Sequence, residues 1–350
     1  MTSAALDERQ AQVLRAVIEQ HVQSGEPIGS RAVSLETRLG LSPASIRSVM
    51  AGLEDRGYLS QPHTSAGRVP TDKAYRFYVD HMVRRSGVTP QQAQAIDQAL
   101  EPRRAELPEM LGAATHQLSQ LTQQVGLVLA PELRRVVVDH IEFARIDPVR
   151  VVTVLVGRSG VVHHHIIEVP EPLDQDELTR IGRWISEQFG GRTLPEIRDL
   201  LRHRLSDERE AYDRLVAESL RLARQAVETA AEPEARVFVE GTAHLVASPD
   251  FADPETVRGL LTALEAKGRL VELLNRVLEE PGVQVVIGGE NRLADLQRCS
   301  LVASAYYGAE GRVIGTLGVV GPTRMEYGRA IALVGYLARV LTRLLSEGGN

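Results

Sequence analysis

The sequence predicts an α+β protein of several domains, in which a small helical unit precedes an α+β region interrupted by a mainly helical insertion. Two observations predict this organisation. Three short helices and a hairpin are expected within residues 1–86, and the strand-rich character of residues 125–189 returns at residues 283–346. A chain of 350 residues has room for two or three domains. Two separate strand-rich domains, in place of one interrupted domain, are an alternative interpretation of the same pattern.

Capping residues define the three N-terminal helices. Asp7 predicts the start of the first helix, which carries an apolar stripe at helical spacing and ends at Gly25. The second, short helix begins at Ser30 and is closed by Gly40. Ser42 precedes a proline, and this pair is a strong signal for the start of the third helix. Further along the chain, Thr71 predicts the start of a fourth helix.

The spacing of these helices is typical of a DNA-binding module. Only three or four residues join the second and third helices, as in a helix-turn-helix. Strands at residues 58–60 and 68–70, with a polar turn between them, predict a hairpin that would form a wing. In such a module the third helix enters the major groove, and the wing reaches an adjacent groove or the phosphates. A protein-binding or purely structural three-helix module is the alternative.

The rest of the chain alternates between strands and helices. A linker at residues 84–90 precedes an amphipathic helix at residues 107–121, and further helices are expected at residues 174–189 and from Met325. The predicted strands lie at residues 125–130, 135–143, 150–156, 161–168, 283–288, 299–307 and 312–320. The strands before residue 190 and after residue 282 therefore belong to one interrupted domain in the simplest interpretation.

A long charged helix is predicted at residues 206–230. Along it, residues recur at steps of three and four, the spacing of a helix-pairing seam, in the order Tyr212, Leu215, Ser219, Leu222 and Ala226. The large side chains among them are Tyr212, Leu215 and Leu222. These three residues are the predicted dimer contacts. The alternative is that the stripe packs within its own chain.

Composition excludes several classes of protein. The net charge of −6 argues against a non-specific nucleic-acid coat protein, although residues 1–86 contain eleven Arg or Lys against nine Asp or Glu. No apolar run approaches the roughly 18 residues that a membrane span needs. The first residues lack a secretory signal pattern, and the single cysteine, Cys299, permits no intramolecular disulfide. We therefore expect a cytoplasmic protein.

Neither a cofactor nor catalytic activity is predicted. Residues 163–165 are three consecutive histidines, but alternate strand residues face opposite ways, so at most His163 and His165 share a face. No cysteine or spaced carboxylates complete a tetrahedral metal site around them. Motifs for nucleotide binding, a serine nucleophile or a zinc hydrolase are likewise missing from the sequence.

Three segments identify a family resemblance. SPASIRSVMAGLEDRGYL at residues 42–59 and QPHTSAGRVPTDKAYRFYVD at residues 61–80 closely resemble the HrcA family of bacterial heat-shock repressors. GPTRMEY at residues 321–327 is similar to a C-terminal signature of that family. The resemblance implies a homodimer with an N-terminal winged helix, a GAF-like domain and a dimerising domain inserted within it. It also implies repression of chaperone operons through an inverted repeat called CIRCE, with the chaperonin GroEL keeping the repressor active.

The resemblance and the element pattern together predict domains and contacts. The domains are a winged helix at 1–86, a GAF-like domain at 87–192 and 282–346, and an inserted dimerising domain at 193–281. The residues predicted to contact DNA are Ser30, Arg31, Ser42, Ser45, Arg47, Ser48, His63, Thr64, Ser65, Gly67 and Arg68. One departure concerns Ser48-Val49, because family members commonly have Asn-Glu there. Serine discriminates among bases less than asparagine, which pairs bidentately with adenine.

Two other functions fit parts of the sequence. A small effector bound in the GAF-like domain could control the DNA affinity in place of the chaperonin. An enzyme with a DNA-targeting module is the other possibility, for which the sequence offers no active-site constellation. Since a fold does not by itself imply a function, the GAF-like resemblance alone does not choose between a ligand and a chaperonin as the signal.

Overall fold

The computed structural model describes most of the chain as helices and antiparallel sheets, in agreement with the predicted α+β class. The described residues are 6–36, 40–63, 66–83, 87–103, 107–131, 136–158, 162–207, 219, 221–225, 237–277, 281–308, 311 and 313–347. In this part of the chain, no helix is both long enough and apolar enough to cross a membrane.

Four helices and a short hairpin form the N-terminal unit. Its elements are α1 (Glu8–Ser24), α2 (Ser30–Glu36), α3 (Pro43–Asp55), β1 (Leu59–Ser60), β2 (Val69–Pro70) and α4 (Asp72–His81). The predicted helix starts are confirmed, because the side chains of Asp7, Ser42 and Thr71 each accept a hydrogen bond from a backbone N–H of the first turn. The apolar faces of α1 and α3 pack inward and leave the opposite face of α3 exposed.

The middle of the chain contains a separate three-stranded sheet. After α5 (Pro90–Leu100), α6 (Leu107–Thr122) and β3 (Val125–Leu129), the chain forms β4 (Val138–Arg145), β5 (Arg150–Gly157), β6 (Val162–Glu168), α7 (Gln175–Phe189) and α8 (Leu194–Asp207). The strand order is β4-β5-β6, and all pairs are antiparallel. One face of this sheet packs on α7, α8 and the helical residues 221–225.

The remaining elements complete a five-stranded antiparallel sheet. They are β7 (Val237–Glu240), α9 (Thr242–Ala247), α10 (Pro254–Glu265), α11 (Lys267–Val277), β8 (Val283–Ile287), β9 (Cys299–Tyr307), β10 (Val313–Pro322) and α12 (Tyr327–Glu347). The strand order is β7-β3-β10-β9-β8. Helices α6 and α12 cover one face, and α9, α10 and α11 cover the other. Buried side chains therefore line both faces of the sheet. For this reason β3, β9 and β10 are buried along nearly their whole length and do not alternate between buried and exposed residues.

The sheet topology groups the strands differently from the predicted domain segments. Strands β4, β5 and β6, which the sequence placed with β3 in the segment 87–192, form their own sheet. Conversely, β7 and helices α10 and α11, which were assigned to the insertion at 193–281, belong to the five-stranded unit. The insertion thus lies between β3 and β7, and its described part contains a sheet as well as helices. Alternating apolar residues predict a strand but carry no information about which sheet it joins.

The predicted helix-pairing seam is only partly within the described residues. Tyr212 and Leu215 lie outside them. Leu222 is completely buried in the core of the three-stranded unit, among side chains of its own chain. For Leu222 the structure therefore favours packing within the chain over a place in a dimer seam.

Candidate nucleic-acid interface

The start of α3 combines a capped helix terminus with an exposed polar face. The Ser42 hydroxyl accepts a hydrogen bond from the backbone N–H of Ser45 at 3.2 Å and donates to the Ser45 hydroxyl at 3.1 Å. Ile46 faces the core, whereas Arg47 and Ser48 are exposed. The positive end of the helix dipole and the free backbone N–H groups of the first turn make such a terminus a binding site for phosphate.

Two of the predicted arginines are available for a partner. Arg31 on α2 and Arg47 on α3 are exposed, and neither forms a hydrogen bond or an ion pair with any other described residue. Ser30, by contrast, is buried at the start of α2, which leaves its hydroxyl little surface for a DNA contact. Among the described residues, Arg31 and Arg47 are therefore the predicted DNA-contacting arginines whose charge is not taken up by a neighbouring side chain.

The hairpin is anchored at its base by the loop between α1 and α2. Ile28 and Arg68 exchange two backbone hydrogen bonds, each of 2.8 Å. The loop therefore pairs with the chain just before β2 through one antiparallel bridge. Gly67 lies directly against this loop. A Cβ atom at Gly67 would come within 2.5 Å of the backbone carbonyl group of Ile28. Gly67, which was predicted to contact DNA, thus has a structural role in the close approach of two backbones.

Arg68 is not a free cation. Its Nε donates to the Glu54 carboxylate at 2.8 Å, and its side chain is only 21% exposed. This ion pair joins the hairpin to α3 and neutralises the charge that was predicted to contact DNA. At the turn, the side-chain amide of Gln61 donates to the Ala66 carbonyl, and His63 is exposed. Thr64 and Ser65, the other predicted residues of the turn, lie outside the described residues.

Two basic residues beside Tyr58 were missed by the sequence interpretation, namely Arg56 at the end of α3 and Lys73 in α4. Lys73 Nζ lies 4.5 Å from the centre of the Tyr58 ring and donates to the Arg56 carbonyl at 2.8 Å. The Arg56 guanidinium lies 5.7 Å from the same ring and donates to Gln10 at 2.8 Å. These cation–π contacts fix the corner between α3 and β1. The sequence feature that indicates these contacts is Tyr58, because an aromatic ring directly after Gly57 offers a face to nearby basic side chains.

The N-terminal unit packs directly on the five-stranded unit. The rings of Tyr75 on α4 and Tyr327 on α12 lie 5.9 Å apart, and both side chains are buried. The Tyr327 hydroxyl lies 2.7 Å from the Ser300 hydroxyl and donates to the Thr323 carbonyl at 2.6 Å. Burial raises the pKa of both phenols far above the ordinary value. The two units therefore share one hydrophobic core, and the signature segment 321–327 lies at their junction.

The consecutive histidines and the single cysteine are the residues whose side chains most often bind metals or react as nucleophiles. Among the described residues, no group of three or more His, Cys, Asp or Glu side chains is placed to hold a metal ion. The Nε2 atoms of His163 and His165 lie 2.5 Å apart, as expected for alternate residues on one face of a strand. Cys299 is buried, and burial raises the pKa of its thiol to about 12, so this thiol is not a reactive thiolate at neutral pH.

Known proteins resemble the chain over nearly its whole length. Residues 108–331 match the family model described as the HrcA protein C-terminal domain. The heat-inducible transcription repressor HrcA of Geobacter sulfurreducens is 38% identical over 344 residues, 97% of this chain and 98% of that protein. HrcA of Syntrophobacter fumaroxidans is 35% identical and covers 99% of both chains. A crystal structure described as that of a hypothetical protein superposes with a TM-score of 0.69, 24% identity and 98% coverage of this chain, which supports the fold.

Proposed function

The chain belongs to the HrcA family of transcription repressors, and from this premise we propose that it represses heat-shock chaperone operons by binding an inverted-repeat CIRCE operator as a homodimer. The observation that carries the proposal is the exposed face of α3, where unpaired Arg47 follows a capped helix start beside an anchored hairpin. In this proposal residues 1–86 are a winged helix, and the five-stranded unit is the GAF-like domain.

The polar groups of α3 divide into two roles. The N-terminus of α3, with Ser42 and Ser45, contacts the phosphate backbone and sets the register of the helix in the major groove. Arg47 and Ser48 face the base edges, where an arginine fork pairs with guanine O6 and N7. The hairpin turn with His63 reaches the neighbouring groove or its phosphates. Arg68 holds the hairpin against α3 through its ion pair with Glu54.

A two-fold symmetric operator requires a two-fold symmetric protein. The outer face of the three-stranded sheet is a suitable dimer surface. Val152 on β5 is directly opposite Ile166 on β6, and Val156 is opposite Val162. Val162 and Ile166 are 51% and 57% exposed in the single chain. We propose that a second copy of the chain covers this outer face, because an exposed aliphatic patch of this kind is typical of a protein–protein interface.

The chaperonin is the proposed regulator, in preference to a small effector. An active repressor must keep several parts of a long chain folded at once, and chaperonin that is occupied by unfolded proteins would leave part of the repressor population inactive. Both faces of the described five-stranded sheet are filled by apolar side chains, which does not favour a ligand between the sheet and its helices. A cleft of about 310 Å³ does lie beside Arg324, at the junction with the N-terminal unit.

The replacement Arg47→Ala tests the proposed interface. We expect it to reduce the binding free energy for the inverted repeat by about 1–3 kcal/mol and to relax the preference for that repeat over scrambled DNA. Fluorescence anisotropy with both DNAs at several salt concentrations measures both effects. Arg183→Ala is the matched control, because Arg183 is an exposed arginine on α7 of the three-stranded unit. An Arg47→Ala protein that discriminates between the two DNAs as well as the Arg183→Ala control would contradict the proposal.

A further inference from the structure

Arg324 of the signature segment joins three parts of the chain that are distant in sequence. Its Nε donates to Asp250 at 2.5 Å, in the short turn after α9, and its Nη1 donates to the backbone carbonyl of Val22 at 3.2 Å, in the last turn of α1. The side chains of Arg324 and Asp250 are only 18% and 24% exposed. This ion pair is therefore partly shielded from water, and its geometry is better defined than that of a surface pair.

The guanidinium also packs against the end of α1. Gly25 closes α1 with a positive φ of 73°, and a Cβ atom there would lie 3.0 Å from Arg324 Cζ. Three residues later, Ile28 pairs with Arg68 at the base of the hairpin. Arg68 in turn holds Glu54 of α3. The contacts of Arg324 with the end of α1, the short loop from Gly25 to Ile28, and the bonds of Arg68 thus connect the five-stranded unit to the hairpin and to α3.

We propose that Arg324 is a positioning residue for DNA binding, which fixes the end of α1 and thereby the base of the wing relative to α3. This inference rests on the proposed function and assigns a role to the signature arginine within it. Without the two hydrogen bonds of Arg324, the loop at residues 25–29 samples more conformations, and DNA binding must then order it. That ordering reduces the affinity for the specific site more than it reduces loose, non-specific phosphate binding.

A second, independent contact makes the proposal testable. On α4, Arg76 donates to Glu290 at 2.8 Å and to the Val285 carbonyl at 2.6 Å, and Asp72 accepts from the backbone N–H of Gly289 at 2.8 Å. These bonds, together with the Tyr75–Tyr327 contact, hold the N-terminal unit in place without Arg324. We therefore expect the Arg324→Ala protein to stay folded and docked, with only the α1 side of the junction loosened.

The experiment measures amide hydrogen exchange and DNA binding in Arg324→Ala. The backbone N–H groups of Ile28 and Arg68 report on the base of the wing, because each is bonded to the other residue's carbonyl. We expect both to exchange about tenfold faster than in the wild type, while the amides of β9 are unchanged. The affinity for the inverted repeat should fall about tenfold at constant affinity for scrambled DNA.

Two further variants separate positioning from loss of structure. Arg329→Ala removes an arginine that lines the same cleft but is paired only at 3.7 Å with Glu326, and it should behave as the wild type. Asp250→Ala should reproduce the Arg324→Ala effects, and the double variant should be no worse than either single one. Arg324→Lys, which keeps one contact but lacks the guanidinium fork, should fall between Arg324→Ala and the wild type.

The outcomes distinguish this inference from the proposed function. Unchanged exchange at Ile28 and Arg68, unchanged or increased affinity for the repeat, or an equal loss for both DNAs would overturn the positioning role of Arg324. A wild-type protein that shows no preference for the repeat would overturn the proposed function instead. In that case the exchange rates still show whether Arg324 holds the base of the wing.

Discussion

Ile166→Glu is expected to convert the proposed dimer to a monomer. Ile166 is more than half exposed in the single chain, so the charged replacement costs the folded monomer little. In a dimer the same carboxylate would be removed from water without a partner, next to Val152 across the strand pair. Sedimentation velocity at micromolar protein measures the change directly.

Loss of the dimer should also weaken operator binding by about 10²- to 10⁴-fold, because the second half-site is then no longer bound at a high effective concentration. Val246→Glu is the matched control. Val246 is an equally exposed aliphatic residue on α9, away from the three-stranded sheet. If Ile166→Glu sediments as the same dimer as Val246→Glu, then the outer face of the sheet is not the dimer surface.

Gly67→Ala should disrupt the base of the β1–β2 hairpin. The added Cβ would lie 2.5 Å from the Ile28 carbonyl carbon and oxygen, and a backbone group cannot move aside as the end of a flexible side chain does. We expect the Ile28–Arg68 bonds to lengthen or break, at a cost of about 1–3 kcal/mol in the free energy of unfolding. Urea denaturation followed by far-UV circular dichroism measures the loss, and operator affinity should fall with it.

Gly52→Ala provides a control with the opposite sign. Gly52 lies within α3, and apart from the adjoining residues and the backbone of its own helix nothing lies within 4 Å of its added Cβ. Alanine there should stabilise the helix by about 0.4–1 kcal/mol, because it restricts the unfolded chain and fits the helical backbone. If Gly67→Ala is as stable as the wild type, then the close approach of the wing and the loop at residues 25–29 does not constrain the fold.

Local signals in the sequence predicted the N-terminal unit well. Asp7, Ser42 and Thr71 each cap a helix, and a cap is a local interaction that depends on the next three residues only. The hairpin was predicted for the same reason. The placement of β4, β5 and β6 in a separate sheet was missed, since strand pairing is a contact between distant segments, and periodicity does not encode it.

The roles of individual charged residues were harder to predict. Arg68 was expected to contact DNA, but its partner Glu54 lies on the neighbouring helix and neutralises its charge. Arg324 stood out only through the family signature, because Asp250 is 74 residues away and Val22 is 302 residues away along the chain. The sequence shows which side chain stands at a position, whereas its interaction partner depends on the three-dimensional fold.

The most direct test of the proposed function is a salt-titrated binding measurement with the wild-type protein. The DNA would be a CIRCE-type inverted repeat and a scrambled duplex of equal length, each with and without chaperonin. We expect a steep salt dependence for both DNAs and a clear preference for the repeat, with a larger active fraction when chaperonin is present. Equal affinity for the two DNAs at every salt concentration would contradict the assignment of this chain as an operator-specific repressor.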